Sequence, residues 1–365
     1  MLILVATDVT VRGGVDGHVM HLVAALQASG HSPALVLEES TTSALREPAA
    51  APGTVPVVHT ALYRRHPPVR LRAAAAAVLD RFRPDGVHVV CGSPRSCLTL
   101  RDEVLARRIP LVITEQQVDD RLVVTPEERD RIRASYRSAR RVVFVSEGNR
   151  DTMDRVVGLD AVPTEVIANG VPVDALRART RNIARPPTTA GARIMTAARL
   201  APEKGLDVLI RSVATLPREL VREVNIFGDG PERPALERLV ADLGESGRVT
   251  LHSWASDIPE LMARHHLFVL TSTAEGLPFA VLEAMSVGIP VIATNVPGSA
   301  EALGHGAAGA LVPQGDIATL RSAIATRLRD RAGTAVLADA ALRRVRDHFD
   351  LAEQMRRTVA TWAGG

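Results

Sequence analysis

At 365 residues the chain is too long for one hydrophobic core of ordinary size and fits two domains. Residues 1–180 hold 23 basic and 21 acidic residues, and the net charge of the whole chain is +3, so neither half offers the concentrated basic face that nucleic acid requires. Aromatic residues make up 3% of the chain, too few for a base-stacking platform.

The first predicted element is LILVA at residues 2–6, an apolar run that lacks the basic flank and the length of a signal peptide. No segment approaches the roughly 18 uninterrupted apolar residues of a membrane span. Cys91 and Cys97, the only cysteines, do not have metal-ligand spacing, so we expect reduced core thiols. These features predict a cytoplasmic protein without an integral membrane segment.

Short apolar runs alternate with helical patterns along the chain. Most runs are continuous rather than alternating, which is typical of strands buried on both faces of a parallel sheet. Helical stretches such as Gly17–Ala28 and Pro231–Leu243 supply the crossovers. The predicted strands lie at residues 2–6, 34–37, 55–58, 86–90, 110–114, 141–145 and 165–168, and then at 193–198, 223–228, 249–252, 267–270, 290–293 and 310–312.

A polar stretch at residues 176–192, with Pro186 and Pro187 and no apolar period, predicts a linker. We therefore expect an α/β protein with two doubly wound, Rossmann-like domains and a cleft between them, divided at about residue 180. In such sheets ligands bind beyond the carboxyl ends of the strands, so the loops that follow strands are the places to look for chemistry.

The loop after the first strand contains Gly13 and Gly14 and leads into a helix that begins near Gly17 or His18. A glycine-rich turn at a helix N-terminus suits a phosphate group, although tight backbone geometry alone also selects such turns. The glycine spacing is not that of the dinucleotide fingerprint, so we do not expect bound NAD.

The loop after the strand at 193–198 contains Lys204, the only lysine; every other basic residue is arginine. Its ammonium is a compact point charge, and Arg199 places a second cation at the same strand end. Two cations at a strand-to-helix turn form a clamp for a diphosphate. The alternative is that Lys204 is an ordinary surface lysine followed by the start of a helix.

Two further positions follow strands 223–228 and 249–252. Gly228 and Gly230 in FGDGPE bring backbone close to the predicted cleft, whereas Asp229 has no neighbouring carboxylate, so we expect no metal there. Trp254 can either flank a nucleobase or fill the core at the end of the sheet.

The loop after strand 267–270 carries Glu275, a carboxylate suited to sugar hydroxyls, and leads into an apolar helix that contains Glu283. An unpaired carboxylate in such a helix is costly, so Glu283 can accept the two ribose hydroxyls. The alternative is two solvated glutamates on a surface helix. The backbone expected to face an incoming anion belongs to Gly276, Leu277, Pro278 and Phe279.

The segments GGVDGHVMHLVAAL, VVFVS, VIANGV, ARLAPEKGLDVLI, FGDGPE and EGLPFAVLEAM resemble, in this order, those of glycosyltransferase family 4, retaining nucleotide-sugar enzymes of the GT-B fold. The resemblance covers essentially the whole chain. It implies that Arg199 and Lys204 bind the donor diphosphate, that Glu275 contacts the transferred sugar and that Glu283 holds the ribose. It also implies that the Gly14 loop closes on the phosphates. The N-terminal acceptor domain is then residues 1–180 with a returning C-terminal helix at about 350–365, and the donor domain is residues 181–349.

One position departs from the family pattern. Where the family often has a histidine near the donor sugar and the acceptor, this chain has Gln116, which can hydrogen-bond a hydroxyl but cannot take a proton. His18 remains a candidate on the acceptor side, whereas His265 and His266 precede a strand and are expected to be structural. In the mechanism proposed for the family, the departing phosphate oxygen accepts the proton of the acceptor, so no protein base is needed.

The sequence thus predicts a retaining, metal-independent enzyme without cofactor, a monomer or weak dimer. It transfers a hexose or N-acetylhexosamine from a UDP-sugar to a small hydrophilic acceptor, such as an aminocyclitol in antibiotic biosynthesis. A lipid-linked acceptor is the competing possibility, favoured by four arginines in residues 66–84 but not by aromatic content. A nucleotide-sugar epimerase or hydrolase of the same fold is a different class of function, and a catalytically inactive binding subunit is a third.

Overall fold

The structure is a computed structural model that describes residues 1–10, 13–40 and 55–363. The chain forms two compact units, each built around its own parallel sheet, which confirms the predicted pair of doubly wound α/β domains. The first unit comprises Met1–Asn169 and the chain from Ala352 onward, and the second comprises Gly170–Leu351.

The first unit alternates strands and helices in its described part. The elements are β1 (Leu2–Thr7), α1 (Gly14–Ala28), β2 (Ser32–Glu38), β3 (Val57–Thr60), α2 (Pro68–Phe82), β4 (Gly86–Cys91), α3 (Leu98–Ala106), β5 (Leu111–Glu115), α4 (Pro126–Ser138), β6 (Arg141–Phe144), α5 (Glu147–Val156) and β7 (Thr164–Val166).

The seven strands of this sheet lie in the order β3-β2-β1-β4-β5-β6-β7, and all of the pairs are parallel. The order reverses between β1 and β4, which creates a topological switch point at their carboxyl ends. Residues Ile3–Ala6 of β1 are fully buried, and α1 covers the sheet with an apolar stripe at helical spacing. The residues of that stripe are Val19, Leu22, Val23 and Leu26.

The second unit repeats the pattern with a six-stranded sheet. Its elements are α6 (Val173–Thr180), β8 (Ala192–Ala197), α7 (Leu206–Ala214), β9 (Val221–Phe227), α8 (Arg233–Asp242), β10 (Val249–His252), α9 (Ile258–Ala263), β11 (Leu267–Leu270), α10 (Phe279–Val287), β12 (Val291–Thr294), α11 (Pro297–Ala302), β13 (Ala310–Val312), α12 (Ile317–Arg329) and α13 (Arg331–His348). Short 3-10 turns lie at Thr188–Ala190, Pro202–Lys204 and Gly304–Gly306.

The strand order of this second sheet is β10-β9-β8-β11-β12-β13, again with parallel pairs. Its switch point therefore lies between β8 and β11. The helix after β8 is strongly amphipathic: Leu206, Leu209, Ile210 and Val213 of α7 are buried on the sheet. The loops that follow β8 and β11, which carry the predicted donor residues, consequently begin side by side.

The polar stretch predicted as a linker is partly helical. Residues Val173–Thr180 form α6, because Val173 and Leu176 are buried in the second unit, whereas Asp174 between them and Arg179 after them are exposed. By packing, the chain therefore divides after Asn169 rather than at residue 180. The assignment of acceptor and donor roles to the two parts remains a prediction.

The last helix, α14 (Leu351–Ala360), packs with the first unit. Trp362, just beyond it, is buried against the start of β4, where a Cβ on Gly86 would come within 2.3 Å of the indole ring. Residues 364 and 365, part of the predicted C-terminal helix region, lie outside the described residues.

The two chain segments that enter and leave the second unit lie side by side. Val171 donates its N–H to the Phe349 carbonyl at 2.9 Å, and Leu351 donates to the Val171 carbonyl at 3.1 Å. Gly170 permits this approach, because a Cβ there would lie 2.7 Å from the Leu351 Cα. None of the helices in the described ranges has both the length and the apolar character that a bilayer span requires.

Candidate active site

The second unit brings Lys204 and Glu275 together at its switch point. Lys204 ends the 3-10 turn after β8, Glu275 lies in the loop after β11, and the Lys204 Nζ is 2.7 Å from the Glu275 Oε1. The two side chains are only 14% and 9% exposed, so this ion pair is better shielded from water than an ordinary surface pair.

Backbone contacts fix the two loops to each other. Thr273 donates its N–H to the Glu203 carbonyl at 2.7 Å, and the Thr271 hydroxyl donates to the Lys204 carbonyl at 3.0 Å. Gly205, with φ of +55°, lies so close to Thr271 that a Cβ would be 2.5 Å from the Thr271 carbonyl oxygen. The backbone that carries the ammonium and the carboxylate is therefore held by contacts between the two loops.

Arg199 is the second cation of the predicted clamp, and its guanidinium forms an ion pair with Glu203. Sequence reasoning did not identify Glu203 as part of the site, because its only signal was its place next to Lys204. The Arg199 side chain is about half exposed, so it can exchange this carboxylate for an incoming anion.

Gly228 and Gly230, after β9, lie directly on the segment that carries Arg199. A Cβ on Gly228 would lie 1.9 Å from the Ala198 carbonyl oxygen, and one on Gly230 would lie 2.3 Å from that of Leu200. Both residues have positive φ, at +145° and +158°. Only glycine permits this approach to the backbone on either side of Arg199. That Gly228 and Gly230 also border the ligand site remains a prediction.

Asp229 anchors the neighbouring loop after β10. Its carboxylate accepts the backbone N–H of Trp254 at 2.8 Å and a guanidinium N–H of Arg233 at 2.9 Å. The hydrogen bond from Trp254 is the main cause of the lowered pKa of Asp229. Trp254 is 46% exposed, so the alternative that it fills the core is wrong.

The loop Glu275–Pro278 leads into α10, and Pro278 is the N-cap of this helix. Leu277 is buried, whereas Phe279 and Glu275 are partly buried. Gly298, in α11, supports this loop from behind, since a Cβ there would lie 2.2 Å from the Gly276 carbonyl oxygen. Nothing in the sequence around Gly298 had indicated this contact.

Glu283 lies on the partly buried face of α10. Within the described residues, its carboxylate forms no hydrogen bond and no ion pair. Burial raises the pKa of Glu283 to about 7, and the positive charge of Arg179 only partly opposes this effect. An unpartnered carboxylate near a strand-end site is a candidate acceptor for ligand hydroxyls.

In the first unit, Gly13 is the N-cap of α1, and its N–H contacts the Asp16 carboxylate at 3.3 Å. His18, one turn along the helix, is buried. Burial and the charge of His21 lower the pKa of His18 to about 4, while interaction with Asn169 partly offsets this effect. Residues 11 and 12 of the predicted glycine loop lie outside the described residues.

Gln116 directly follows β5. Its backbone N–H donates to the Cys91 carbonyl at 2.9 Å, and its buried side-chain Nε2 has no partner within the described chain. The adjacent Glu115 points into the core instead, where Tyr136 donates its O–H to the carboxylate at 2.7 Å. Burial raises the pKa of Glu115. Glu115 is thus a structural group, and its side chain lies on the other face of the strand end from that of Gln116 if the alternation of β5 continues.

His265 and His266 are structural, as expected. His265 contacts the Leu261 carbonyl at 2.6 Å and Asn225 at 3.0 Å, and His266 accepts the Arg193 N–H at 2.9 Å. Cys91 and Cys97 are free and buried.

The described residues contain one group with the spacing of metal ligands, which is Glu38, Glu39 and His66 at the end of β2. Glu38 already accepts the N–H groups of Leu62 and Tyr63 at 2.7 Å and contacts His66 at 2.8 Å. Its oxygens are therefore occupied by protein donors, and the group belongs to a different unit from Lys204 and Glu275.

Comparison with known proteins defines the class of protein to which this fold and site belong. Residues 12–175 match the model for Glycosyltransferase Family 4, and residues 191–330 match that for Glycosyl transferases group 1. The crystal structure of HepE from Anabaena in complex with UDP is similar over the whole of both chains, with a TM-score of 0.80 and 22% identity. The chain belongs to the family 4 glycosyltransferases and has their GT-B type of fold.

Two curated relatives represent the range of similar sequences. The 2-deoxystreptamine N-acetyl-D-glucosaminyltransferase of Streptomyces fradiae is 27% identical over 70% of this chain and 66% of the relative. The lipopolysaccharide core biosynthesis glycosyltransferase LpsE of Rhizobium meliloti is 33% identical over 46% of this chain and 47% of the relative. The chain spans from a fifth to about two thirds of the length of the curated relatives that it matches.

Proposed function

We propose that this glycosyltransferase transfers a hexose or N-acetylhexosamine from a UDP-sugar to a small hydrophilic acceptor, without a metal ion and with retention of anomeric configuration. The observation that carries the proposal is the contact between the only lysine, Lys204, and Glu275 at the switch point of the second sheet. This arrangement gives one site both a cation for phosphate and a carboxylate for sugar hydroxyls.

The donor diphosphate is assigned to Lys204 and Arg199. Each cation now faces a carboxylate, Glu275 and Glu203 respectively, and each can share or exchange that partner when a diphosphate enters. Gly228 and Gly230 leave the neighbouring backbone uncovered by side chains. The presence of UDP in the HepE crystal structure supports a uridine nucleotide.

The remaining donor groups are assigned around the loop after β11. Glu275 contacts the transferred sugar, the backbone of Gly276–Phe279 faces the anionic diphosphate, and Glu283 accepts the two ribose hydroxyls. Ligand hydroxyls would supply the hydrogen bonds that the Glu283 carboxylate lacks in the described structure. The exposed Trp254 flanks the base.

Catalysis then depends on stabilising the leaving group. Bond cleavage between the sugar C1 and the phosphate oxygen develops negative charge on UDP, and Lys204 and Arg199 lower the energy of that charge. The acceptor oxygen attacks from the same face, and the departing phosphate oxygen takes its proton. This assignment requires no protein base, which is consistent with glutamine at position 116 and with the burial of Glu115 against Tyr136.

For the acceptor, the similarity to a 2-deoxystreptamine glycosyltransferase supports an aminocyclitol. The similarity to LpsE supports the alternative, an acceptor of lipopolysaccharide type. His18 and Gln116 are proposed for the acceptor side. An uncharged His18, as its lowered pKa requires near neutrality, can donate to or accept from a hydroxyl without repelling an ammonium group on the acceptor.

The experiment is a transfer assay with a panel of nucleotide sugars in the presence of chelator, with and without 2-deoxystreptamine. Acceptor-dependent release of UDP supports transfer, whereas equal release without acceptor indicates a hydrolase, and isomerised donor indicates an epimerase. The anomeric proton coupling of the product distinguishes retention from inversion. Activity that appears only when magnesium or manganese is added would contradict the metal-independent assignment.

A further inference from the structure

A cavity of about 250 Å³ lies in the first unit between the end of α14 and the strands β6 and β7. Arg140 and Arg141 stand at the amino end of β6, whereas Gln116 and the Gly13 loop follow the carboxyl ends of β5 and β1. Because all of the strands are parallel, this cavity lies at the amino ends of the strands, whereas the proposed acceptor residues lie at the carboxyl ends.

The lining of this cavity is strongly cationic. It includes Arg140, Arg141, Arg356 and Arg357, and its one acidic side chain is Glu165. Arg356 is also paired with Glu353 at 2.8 Å. Four guanidinium groups are thus opposed by two carboxylates, Glu165 in the lining and Glu353 outside it, so the cavity has an excess of positive charge.

The ion pairs inside the cavity are loose. The Glu165 carboxylate is shared between Arg141 Nε at 3.6 Å and Arg357 Nη2 at 3.5 Å, whereas charge-assisted hydrogen bonds are usually about 2.7–2.9 Å. Arg357 instead donates to the Val166 carbonyl at 2.8 Å. The guanidinium groups therefore retain donors that the single carboxylate does not satisfy.

The guanidinium of Arg140 has a buried donor without a partner. Its Nε donates to the Thr361 carbonyl at 2.9 Å, which fixes the guanidinium beside the cavity. Its Nη2 is buried and has no hydrogen-bond partner among the residues that the structure describes. A buried donor of a charged group without a partner costs free energy unless a ligand or water satisfies it.

We propose that this cavity binds the phosphate group of a small phosphorylated molecule, at a site separate from the donor site. Phosphate suits a cluster of arginines, because its oxygens accept paired N–H groups from several directions. The volume is below the roughly 300–1,000 Å³ typical of pockets for larger ligands, which suits one compact anion. Trp362, which lies in the chain between the lining residues Thr361 and Ala363, is buried.

The test is titration calorimetry with inorganic phosphate at constant ionic strength, in a Lys204→Ala background that removes a cation of the proposed donor site. We expect saturable 1:1 binding. Arg141→Gln should weaken it about tenfold or more, the scale for losing a hydrogen bond to a charged group. Glu165→Gln should strengthen it several-fold, because the competing carboxylate is removed; a purely structural ion-pair network would not produce this gain.

The matched control is Arg150→Gln, which removes a paired arginine of 38% exposure that follows the carboxyl end of β6. A second arm uses phosphatidylcholine vesicles with and without phosphatidic acid, to distinguish a lipid headgroup from a soluble phosphate. Arg141-dependent binding in either arm supports the site and identifies the source. The proposal is wrong if neither arm depends on Arg141, or if Arg150→Gln weakens phosphate binding equally while the variants remain folded.

Discussion

The Lys204 Nζ and the Glu275 Oε1 meet at 2.7 Å although 71 residues separate them in the chain. The contact joins the loops that follow two neighbouring strands, β8 and β11, and both side chains are largely shielded from water. A cation held in this way is oriented before substrate arrives, so little reorganisation is needed when negative charge develops beside it.

The first prediction concerns the size of that cation. Lys204→Ala should reduce transfer by on the order of a hundredfold or more, the scale for removing one stabiliser of transition-state charge. Lys204→Arg should also be poor, because a planar fork does not fit the space that an ammonium occupies beside Glu275. Steady-state rates measure both effects, and Arg211→Ala, an exposed arginine on α7, is the control. Near-normal turnover in the arginine variant would refute the argument.

The second prediction separates the two glutamates. Glu283→Gln should chiefly weaken UDP binding, since Glu283 is assigned to the ribose. Glu275→Gln should leave UDP affinity nearly unchanged and depress turnover, since Glu275 is assigned to the sugar. Calorimetry with UDP, beside initial rates for both variants, decides between these roles. An equal loss of UDP affinity in the two variants would show that the assignment is wrong.

The third prediction is a pH dependence of nucleotide binding. Burial raises the pKa of Glu283 to about 7, so the carboxylate is ionised above this pH and protonated below it. Only the ionised form accepts both hydroxyls, so UDP affinity should fall as the pH decreases from 8 to 6. The Glu283→Gln variant should show a flatter profile, and it corrects for the titration of UDP itself. Parallel profiles in the two proteins would contradict the prediction.

The fourth prediction tests the support behind the sugar loop. Gly298→Ala should displace the Glu275–Gly276 backbone and lower turnover at least tenfold, because the new Cβ would lie 2.2 Å from the Gly276 carbonyl oxygen. The comparison is Gly247→Ala, where no atom lies within 4 Å of the added Cβ. Rates and melting temperatures of both variants should be measured. If Gly298→Ala keeps full turnover, the loop is not held by this contact.

The fifth prediction concerns acid stability. Burial lowers the pKa of His18 to about 4 and that of His88 to about 3, against about 6.5 in an unfolded chain. The unfolded state therefore binds more protons than the folded state between pH 6.5 and 4. As the pH decreases through this range, the free energy of unfolding should fall by about 1.4 kcal/mol per pH unit for each histidine. Urea unfolding of His18→Gln should show a shallower dependence than that of the exposed His59→Gln.

The fold was largely predictable, because strands buried on both faces need continuous β-branched runs. All thirteen strands of the described chain coincide with such runs; β3 differs most, at Val57–Thr60 instead of 55–58. The helix α6 was missed because arginines at its surface hide the buried Val173 and Leu176. Its apolar signal comes from two residues and is too short to reveal a period.

The site was only partly predictable. The loops were found because they follow strands and carry unusual residues, such as a single lysine and a charged residue in an apolar helix. The partners of those residues were not predicted. The pairing of Arg199 with Glu203 depends on side-chain placement, and the support of Gly276 by Gly298 depends on a contact between separate loops. No periodicity in the sequence encodes such contacts.

The paired hydrogen bonds between Val171 and the segment at Phe349–Leu351 have a consequence for modular exchange. The second unit begins and ends at one place, so it is topologically an insertion with adjoining ends. A fragment of residues 170–351 should therefore be transplantable as a cassette, with residues 169 and 352 of a recipient chain as the natural splice points. Under the donor and acceptor roles proposed above, exchange of such cassettes between relatives would alter donor preference while leaving the first unit, including its final helix, intact.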